Sequence, residues 1–541
     1  MKHRPLIFLH WLVQRLYKAG TRHLFGVPGG GTSLDLIEAA ASQRIELVLT
    51  AREDAALIMA GVSGVLTQGP GLAFSTKGPG LTSAANGLAA ASLDRMPALL
   101  IAETFVPGEL DYVSHQAYDQ SAVVQPLLPN GPMNVLDASR EAVDSWLACD
   151  PQPARQPAVM FPTRDAFREL VNADYDSEPI PTENLVGQIE LARTCELVNS
   201  SLNPIVIVGL EAARPEIALE VKELVEALNA PVLSSYMASG TVPVSHPNYT
   251  GIFTGGAIEQ PCVNEADLIM LVGLDPVELI RKPWPYQAPV VDICEAVHQP
   301  HYLDPKVRLC APLADSLPAL VEGIRSSTSK SEWSSKRIRS HRYRFYTGLE
   351  IEVENGLSAS FVVKAAAEAF GGKPRLTVDA GAHMFSACAF WPSMAPRDIL
   401  ISNGLATMGF ALPAALAAAI HDPSRGAVAM TGDGGLMMCL GELKTVAQMN
   451  ANICIIVFND GCLSLIDIKR EERQISDLGL NWNRPDFSLI AKGFGFQSWR
   501  PANTIELNNA CAEAATQSGP RLIDVQVDPS GYLKQMRALR G

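Results

Sequence analysis

The chain is 541 residues long, with 47% hydrophobic and 18% charged residues and a formal net charge of -14 at pH 7. That length needs several hydrophobic cores, and that composition excludes a disordered or fibrous chain. The acidic balance argues against a nucleic-acid partner, because nothing offsets phosphate repulsion over the surface as a whole.

From the N-terminus, the apolar run Leu6 to Val13 is interrupted by His10, and no small-residue cleavage site follows it. No segment is long and apolar enough to span a bilayer. The 10 cysteines include no Cys-x-x-Cys pair, and several, such as Cys454, fall inside apolar runs. They read as buried thiols of a reducing compartment, not as a disulfide or zinc framework. A cytoplasmic protein with no membrane partner is expected.

Residues 1–170 alternate helix and strand signals: helix to Lys18, strand at His23 to Gly26, helix after Thr32, strand at Ile45 to Leu49. This predicts an α/β domain with a parallel sheet. The loop Val27 to Gly31 is a glycine-rich connector or a ligand contact. Glu53 opens a helix that runs through Val65. A carboxylate there favours the helix N-terminus; in an apolar setting, desolvation also raises its pKa and lets it share a proton with a base. Ala73 to Thr76 leads into Lys77-Gly78-Pro79-Gly80 and a helix whose small residues permit close packing. Lys77 is either solvated or a partner for a substrate carboxylate. His115, beside Gln116, titrates near neutrality and can shuttle protons, although a lone histidine is more often structural.

The acidic, proline-containing stretch Asn172 to Glu183 reads as a linker. A middle domain follows, with strands at Ile205 to Val208, Val232 to Ser234 and Leu268 to Val272. The polar run Ser326 to Arg342 reads as a second linker, and its basic residues as a solvated face. The expected architecture is three consecutive α/β domains with parallel sheets, over residues 1–170, 187–327 and 350–541.

In the last domain, Thr377 to His383 is a strand ending in a turn, and Asn403 to Phe410 opens a small-residue helix in which Met408 reads as core filler. Ala427 to Met430 forms a buried strand that stops at Thr431-Gly432-Asp433-Gly434-Gly435. A helix over Gly441 to Asn450 and a strand over Ile453 to Phe458 follow, ending at Asn459-Asp460-Gly461. The right-handed crossover of this βαβ unit sets both strand tips on one sheet edge, so Asp433 and Asn459 are neighbours. A carboxylate and an amide oxygen are hard ligands suited to magnesium or calcium bridging phosphates. The glycines let the backbone approach a diphosphate, and the helix directs free N–H groups at it.

Gly432-Asp433-Gly434, the short intervening segment and Asn459 resemble the cofactor motif of thiamine diphosphate enzymes. The resemblance covers nearly the whole chain and is greatest to the acetolactate synthase group. It implies pyrimidine-binding, central and diphosphate-binding domains, with thiamine diphosphate and Mg2+ as cofactors. By resemblance, Asp433, Asn459 and the Gly461 carbonyl hold the metal. Gly432, Gly434 and Gly435 adjoin the diphosphate, as do Gly381, Ala382 and His383. Thr407 and Met408 also bind the cofactor, Met408 wedging between its two rings. Gly29 lies in a turn resembling Gly-x-Pro-Gly. Glu53 bonds the aminopyrimidine and promotes the imino tautomer that deprotonates the thiazolium carbon. Gln116 keeps a polar active-site position, and His115 stands where relatives carry Phe.

Departures from the pattern bear on substrate and flavin. Pro129 replaces a lysine, Asp467 an arginine and Lys469 a tryptophan, so the substrate pocket is rebuilt. Gly273 is followed by Leu274-Asp275 instead of the Arg-Phe-Asp of FAD-containing relatives, so FAD is not expected. The resemblance implies decarboxylation of a 2-oxo acid, with release of aldehyde or carboligation to a second carbonyl, in a homodimer or homotetramer with sites at the subunit interface. Two alternatives stay open: an acyloin or 2-hydroxyacyl lyase, and a cofactor-binding relative without catalysis.

Overall fold

The computed structural model describes residues 6–541 except 107, 129–130, 149–155, 172–185, 280–282, 299–302, 326–330, 355 and 478. The readings at Pro129 and over Asn172 to Glu183 lie outside the described residues.

Three sheets, each of six parallel strands, succeed one another along the chain. The first holds β1 (His23–Gly26), β2 (Glu46–Leu49), β3 (Gly71–Ser75), β4 (Ala98–Ala102), β5 (Val135–Leu136) and β6 (Ala158–Met160). The central sheet holds β7 (Pro204–Val208), β8 (Val232–Ser234), β9 (Tyr249–Ile252), β10 (Leu268–Val272), β11 (Val290–Cys294) and β12 (Val307–Cys310). The third holds β13 (Arg375–Val378), β14 (Ile399–Ile401), β15 (Ala427–Gly432), β16 (Ile453–Asn459), β17 (Gln497–Trp499) and β18 (Pro520–Gln526).

The first and third sheets share one strand order, β2-β1-β3-β4-β6-β5 and β14-β13-β15-β16-β18-β17. The central order is β9-β8-β7-β10-β11-β12. Within each sheet the order reverses between β1 and β3, β7 and β10, and β13 and β15. There the connections leave to opposite sides, and a crevice opens at the carboxyl ends of the strands. The central strands of each sheet are apolar runs because helices cover both faces; all seven residues of β16 are buried.

The first and third domains share one apolar cluster, reaching from Phe25 to Leu522. It passes through the helices Glu53–Thr67 and Ala411–His421, each apolar nearly all round, as a helix between two layers must be. Small residues permit the approach: a Cβ on Gly87 would lie 2.4 Å from the Asp54 carbonyl oxygen. Each fully buried leucine here, such as Leu57 or Leu412, contributes about 1.5–3 kcal/mol.

Two sequence readings need correction. The run Ser326 to Arg342 is not simply a connector: a helix spans Ser335–Leu349, capped by the Ser334 hydroxyl accepting the Arg337 N–H at 3.3 Å. It buries only Ile338, His341, Phe345 and Leu349, and that narrow stripe is masked by the solvated remainder. The glycine motif is also more ordered than a turn, because Asp433–Met438 forms a short helix before the expected one, which spans Glu442–Gln448. Among the described residues no helix is long and apolar enough to cross a membrane.

Candidate active site

The reversal between β13 and β15 sets the loop 379–383 beside Gly432–Gly435. A cavity of about 230 Å3 opens there, and its walls bring together Gly381, Ala382, His383, Met408, Gly432, Asp433, Gly434 and Gly435. Met408 closes on the glycine motif, its methyl 3.3 Å from where a Cβ on Gly434 would sit.

Asp379, which sequence reasoning did not single out, ties these loops together. Its Oδ1 accepts the Phe410 N–H at 3.0 Å and the Ala380 N–H at 3.2 Å. Its Oδ2 accepts the Gly409 N–H at 3.1 Å and the Thr431 hydroxyl at 2.8 Å. The carboxylate therefore fixes the backbone just after Met408 and the approach to Asp433. Burial pushes the Asp379 carboxyl up to about 6. A Cβ on Gly435 would lie 2.1 Å from its Oδ2, so position 435 admits only glycine without rearrangement.

The strand tips meet as the βαβ reading requires, since Gly432 pairs with Phe458 and the next residues are Asp433 and Asn459. Asp433, 2% exposed, accepts N–H groups of Gly434 and Gly461, each at 2.8 Å. The Asn459 amide donates to the Pro485 carbonyl and to Asp524 Oδ1, both at 2.9 Å. Those two bonds fix the side chain and leave Oδ1 fully buried with no donor among the described residues. A buried amide oxygen left unmatched costs about 1–3 kcal/mol unless something outside the protein meets it. The Gly461 carbonyl accepts the Trp482 N–H at 2.9 Å and keeps a second lone pair. Among the described residues no cluster of three His, Cys, Asp or Glu side chains is placed to hold a metal. A cation here would combine one carboxylate, one amide oxygen and a backbone carbonyl with oxygens of a ligand. That donor set fits Mg2+, which keeps several non-protein ligands. Burial, then the neighbouring Asp433, push the Asp460 carboxyl up to about 7.

His383 stacks on Phe458, with ring centroids 5.1 Å apart, and its ring bonds the Met430 backbone. Nε2 stays buried without a partner among the described residues. Burial lowers the imidazole to about 4, so it is neutral. Arg540, near the chain's end, is the only lysine or arginine lining the cavity among the described residues. Its guanidinium lies 5.2 Å from the Phe385 ring centroid. Nothing local in the sequence ties residue 540 to residue 383.

Other expected site residues gather elsewhere, at the carboxyl edge of the first sheet. Glu53 begins its helix half-buried, with Oε1 3.3 Å from where a Cβ on Gly80 would stand. A Cβ on Gly29 would meet the Thr76 hydroxyl at 2.5 Å. Gln116 adopts φ +60° over Gly78, and both His115 and Gln116 are exposed. None of these residues lines the third-domain cavity. Lys77 lies 3.9 Å from Glu103 and 4.5 Å from the Phe105 ring centroid, so it has a partner within its own domain. Thr407 faces a second cavity of about 540 Å3 between the first and third domains and accepts from the Asn86 amide at 3.1 Å.

The central crevice is built differently. Glu278 Oε2 accepts the N–H groups of Leu210 at 2.8 Å and Asp275 at 3.1 Å, and its other oxygen takes the Ser235 hydroxyl. Glu211 accepts the Glu295 N–H at 2.7 Å and pairs with His298 at 2.7 Å. Arg95 of the first domain reaches in to Asp275 with two bonds, at 2.7 and 3.3 Å. Carboxyl groups thus occupy backbone donors that a dinucleotide's diphosphate would need. Burial pushes Glu278 up to about 8.

Paired reversal-point crevices, one with an oxygen-rich strand-tip site, define a diphosphate-binding α/β architecture. The chain belongs to the thiamine pyrophosphate enzyme family: residues 8–123 match its N-terminal TPP binding domain, 191–320 its central domain and 379–525 its C-terminal TPP binding domain. Over the whole chain it is similar to acetolactate synthases. The acetolactate synthase of Bacillus subtilis (strain 168) is 25% identical over 537 residues, covering 96% of this chain and 93% of that protein. The catabolic acetolactate synthase of Raoultella terrigena is 24% identical, with 96% and 94% covered. The acetolactate synthase isozyme 3 large subunit of Escherichia coli (strain K12) is 26% identical, with 98% and 96% covered.

Proposed function

We propose that the protein binds thiamine diphosphate with Mg2+ and decarboxylates a 2-oxo acid, passing the remaining fragment to a second carbonyl or releasing it as an aldehyde. The observation that carries this reading is the buried Asn459 Oδ1, without a donor among the described residues, beside Asp433, which lines a glycine-rich cavity. Asp433, Asn459 and the Gly461 carbonyl would hold the cation. The Gly432–Gly435 backbone and His383 would face the diphosphate, and Met408 would separate the two rings.

The cofactor supplies an acidic ring carbon that adds to a carbonyl, and an electron sink for carboxylate loss. The chain supplies the rest. Glu53 would hold a proton on its carboxylate, shared with a nitrogen of the aminopyrimidine. Met408, Leu463 and Leu465 present apolar walls that exclude water and favour loss of charge as carbon dioxide leaves. Asp467 pairs with Arg470 at 2.5 Å and Lys469 is exposed, so this segment presents different groups from those of acetolactate synthases.

Because, among the described residues, the cavity walls come from the third domain, Glu53 would reach the cofactor from a second copy of the chain. Met437 and Met438, 49% and 57% exposed just after the glycine motif, offer apolar surface for that contact. A homodimer, or a homotetramer of two such dimers, is the functional unit in this reading, and its central domain carries no flavin. The test is a panel of 2-oxo acids with thiamine diphosphate and Mg2+, with products identified by mass. Turnover of none of them, with the cofactor bound, would overturn the reading.

A further inference from the structure

We infer that Glu442 positions the catalytic acid Glu53, holding from the third domain the turn that carries it. The inference rests on the thiamine reading above. Glu53 follows a turn of three residues after β2, and its helix has no side-chain cap of its own at Arg52. Glu442, from a distant part of the chain, instead fixes the two residues just before that helix. Its Oε1 accepts both the Ala51 N–H at 2.9 Å and the Arg52 N–H at 3.1 Å. Its Oε2 takes the Thr445 hydroxyl at 2.8 Å, which fixes the carboxylate plane. Glu442 is 1% exposed, and a Cβ on Gly441 would come within 2.9 Å of the Ala51 Cβ, so the fit is close.

Three consequences follow from this geometry. An acceptor held against the N–H groups just before Glu53 sets the direction in which the helix starts, and with it the Glu53 carboxylate. The negative charge complements the positive end of a helix of 15 residues. Glu442 also begins the helix that follows the Asp433 segment, so the backbone that carries the metal site carries the clamp as well. Ala51 and Arg52 are exposed, so water can satisfy their N–H groups when the clamp is removed, and the variants should stay folded.

The hydrogen bonds need one acceptor oxygen at full side-chain length. Glu442→Gln keeps that oxygen, Glu442→Asp withdraws it and Glu442→Ala removes it. The test uses the full-length protein with thiamine diphosphate and Mg2+ and measures deuterium exchange of the thiazolium C2 proton, cofactor Kd and kcat. Expected are exchange and kcat at least tenfold slower in the Ala and Asp variants, Kd within about threefold, and Gln within about threefold of wild type throughout. A merely structural role would lower thermal stability and leave exchange at the wild-type rate well below the melting temperature. That result, or loss of cofactor binding in both the Ala and Asp variants, would overturn the inference. Absence of exchange in the wild-type protein with bound cofactor would instead remove the thiamine reading and the inference with it.

Discussion

The Asp433 carboxylate accepts the Gly461 N–H at 2.8 Å, bridging the tips of two adjacent parallel strands and leaving the Asn459 amide oxygen beside it without a donor. Asp433→Asn would turn an amide N–H2 towards the N–H groups of Gly434 or Gly461 and remove the negative charge of the side chain. Thiamine diphosphate affinity in the presence of Mg2+ should fall by about two orders of magnitude, with the fold unchanged. Fluorescence titration with and without Mg2+ measures both effects; equal affinity with and without the metal in the wild type would remove the cation from the site.

Asp379 has four donors around one carboxylate, and an asparagine side chain in its place could not accept from all of them. Asp379→Asn should cost about 2–3 kcal/mol, read from the urea midpoint. Gly435→Ala drives a methyl against the same carboxylate from the other side, so it should weaken cofactor binding at least tenfold. A Gly435→Ala protein with wild-type affinity would mean that the Asp379 contacts do not shape the cradle.

Much of this site is legible in the sequence because its parts are local. The strand β15, the glycines after it and the tip of β16 announce themselves by apolar runs and turn residues. The convergence of donors on Asp379 is not legible, since they come from residues 380, 409, 410 and 431, three segments that only the sheet order brings together. Glu442 is hidden for the same reason, its partners lying 390 and 391 residues away. The helix Ser335–Leu349 escapes because one buried stripe among many charges looks like a solvated connector.

Stability should depend on pH through Glu278. Its folded carboxyl releases a proton only near pH 8, against an ordinary value of 4.5, because burial and then Asp275 disfavour its charge. Asp275 itself faces Arg95 and His298, and Glu211 lies on the same edge. Between those two pH values the folded state binds the extra proton, so stability is greatest at the acid end and falls as pH rises towards 8. Glu278→Gln keeps an oxygen for the Leu210 and Asp275 N–H groups and cannot ionise. Its urea midpoint, relative to wild type, should rise steadily from pH 5 to pH 8; a constant difference would show that Glu278 does not titrate in this range.

Flavin should be neither retained nor required. The N–H groups of Leu210, Asp275 and Glu295 already serve Glu278 and Glu211, and a dinucleotide would have to displace these buried carboxyl groups to reach them. The purified protein should show no absorbance near 450 nm, and added FAD should leave both the melting temperature and turnover unchanged. A thermal shift of several degrees on adding FAD would show that the crevice opens.

Among the described residues, the walls of the third-domain cavity include none from the first domain, and Glu53 stands instead at the edge of its own sheet, beside Gly80. If each site draws Glu53 from one copy and Asp433 from another, two dead variants can repair one another. Glu53→Gln and Asp433→Asn should each abolish turnover alone. In a dimer of one Glu53→Gln chain and one Asp433→Asn chain, the first chain lends its intact Asp433 and the second its intact Glu53, so one site is whole and the other doubly damaged. Random reassembly of equal amounts makes about half the dimers mixed, each with one of two sites working, so about a quarter of wild-type activity should return. Were both residues to serve a cavity of their own chain, every site in every mixture would carry one lesion, and co-refolding would restore nothing. Activity measured against mixing ratio therefore distinguishes the two arrangements, and a flat line at zero from a mixture shown to contain mixed dimers would place Glu53 and Asp433 of one chain in the same site.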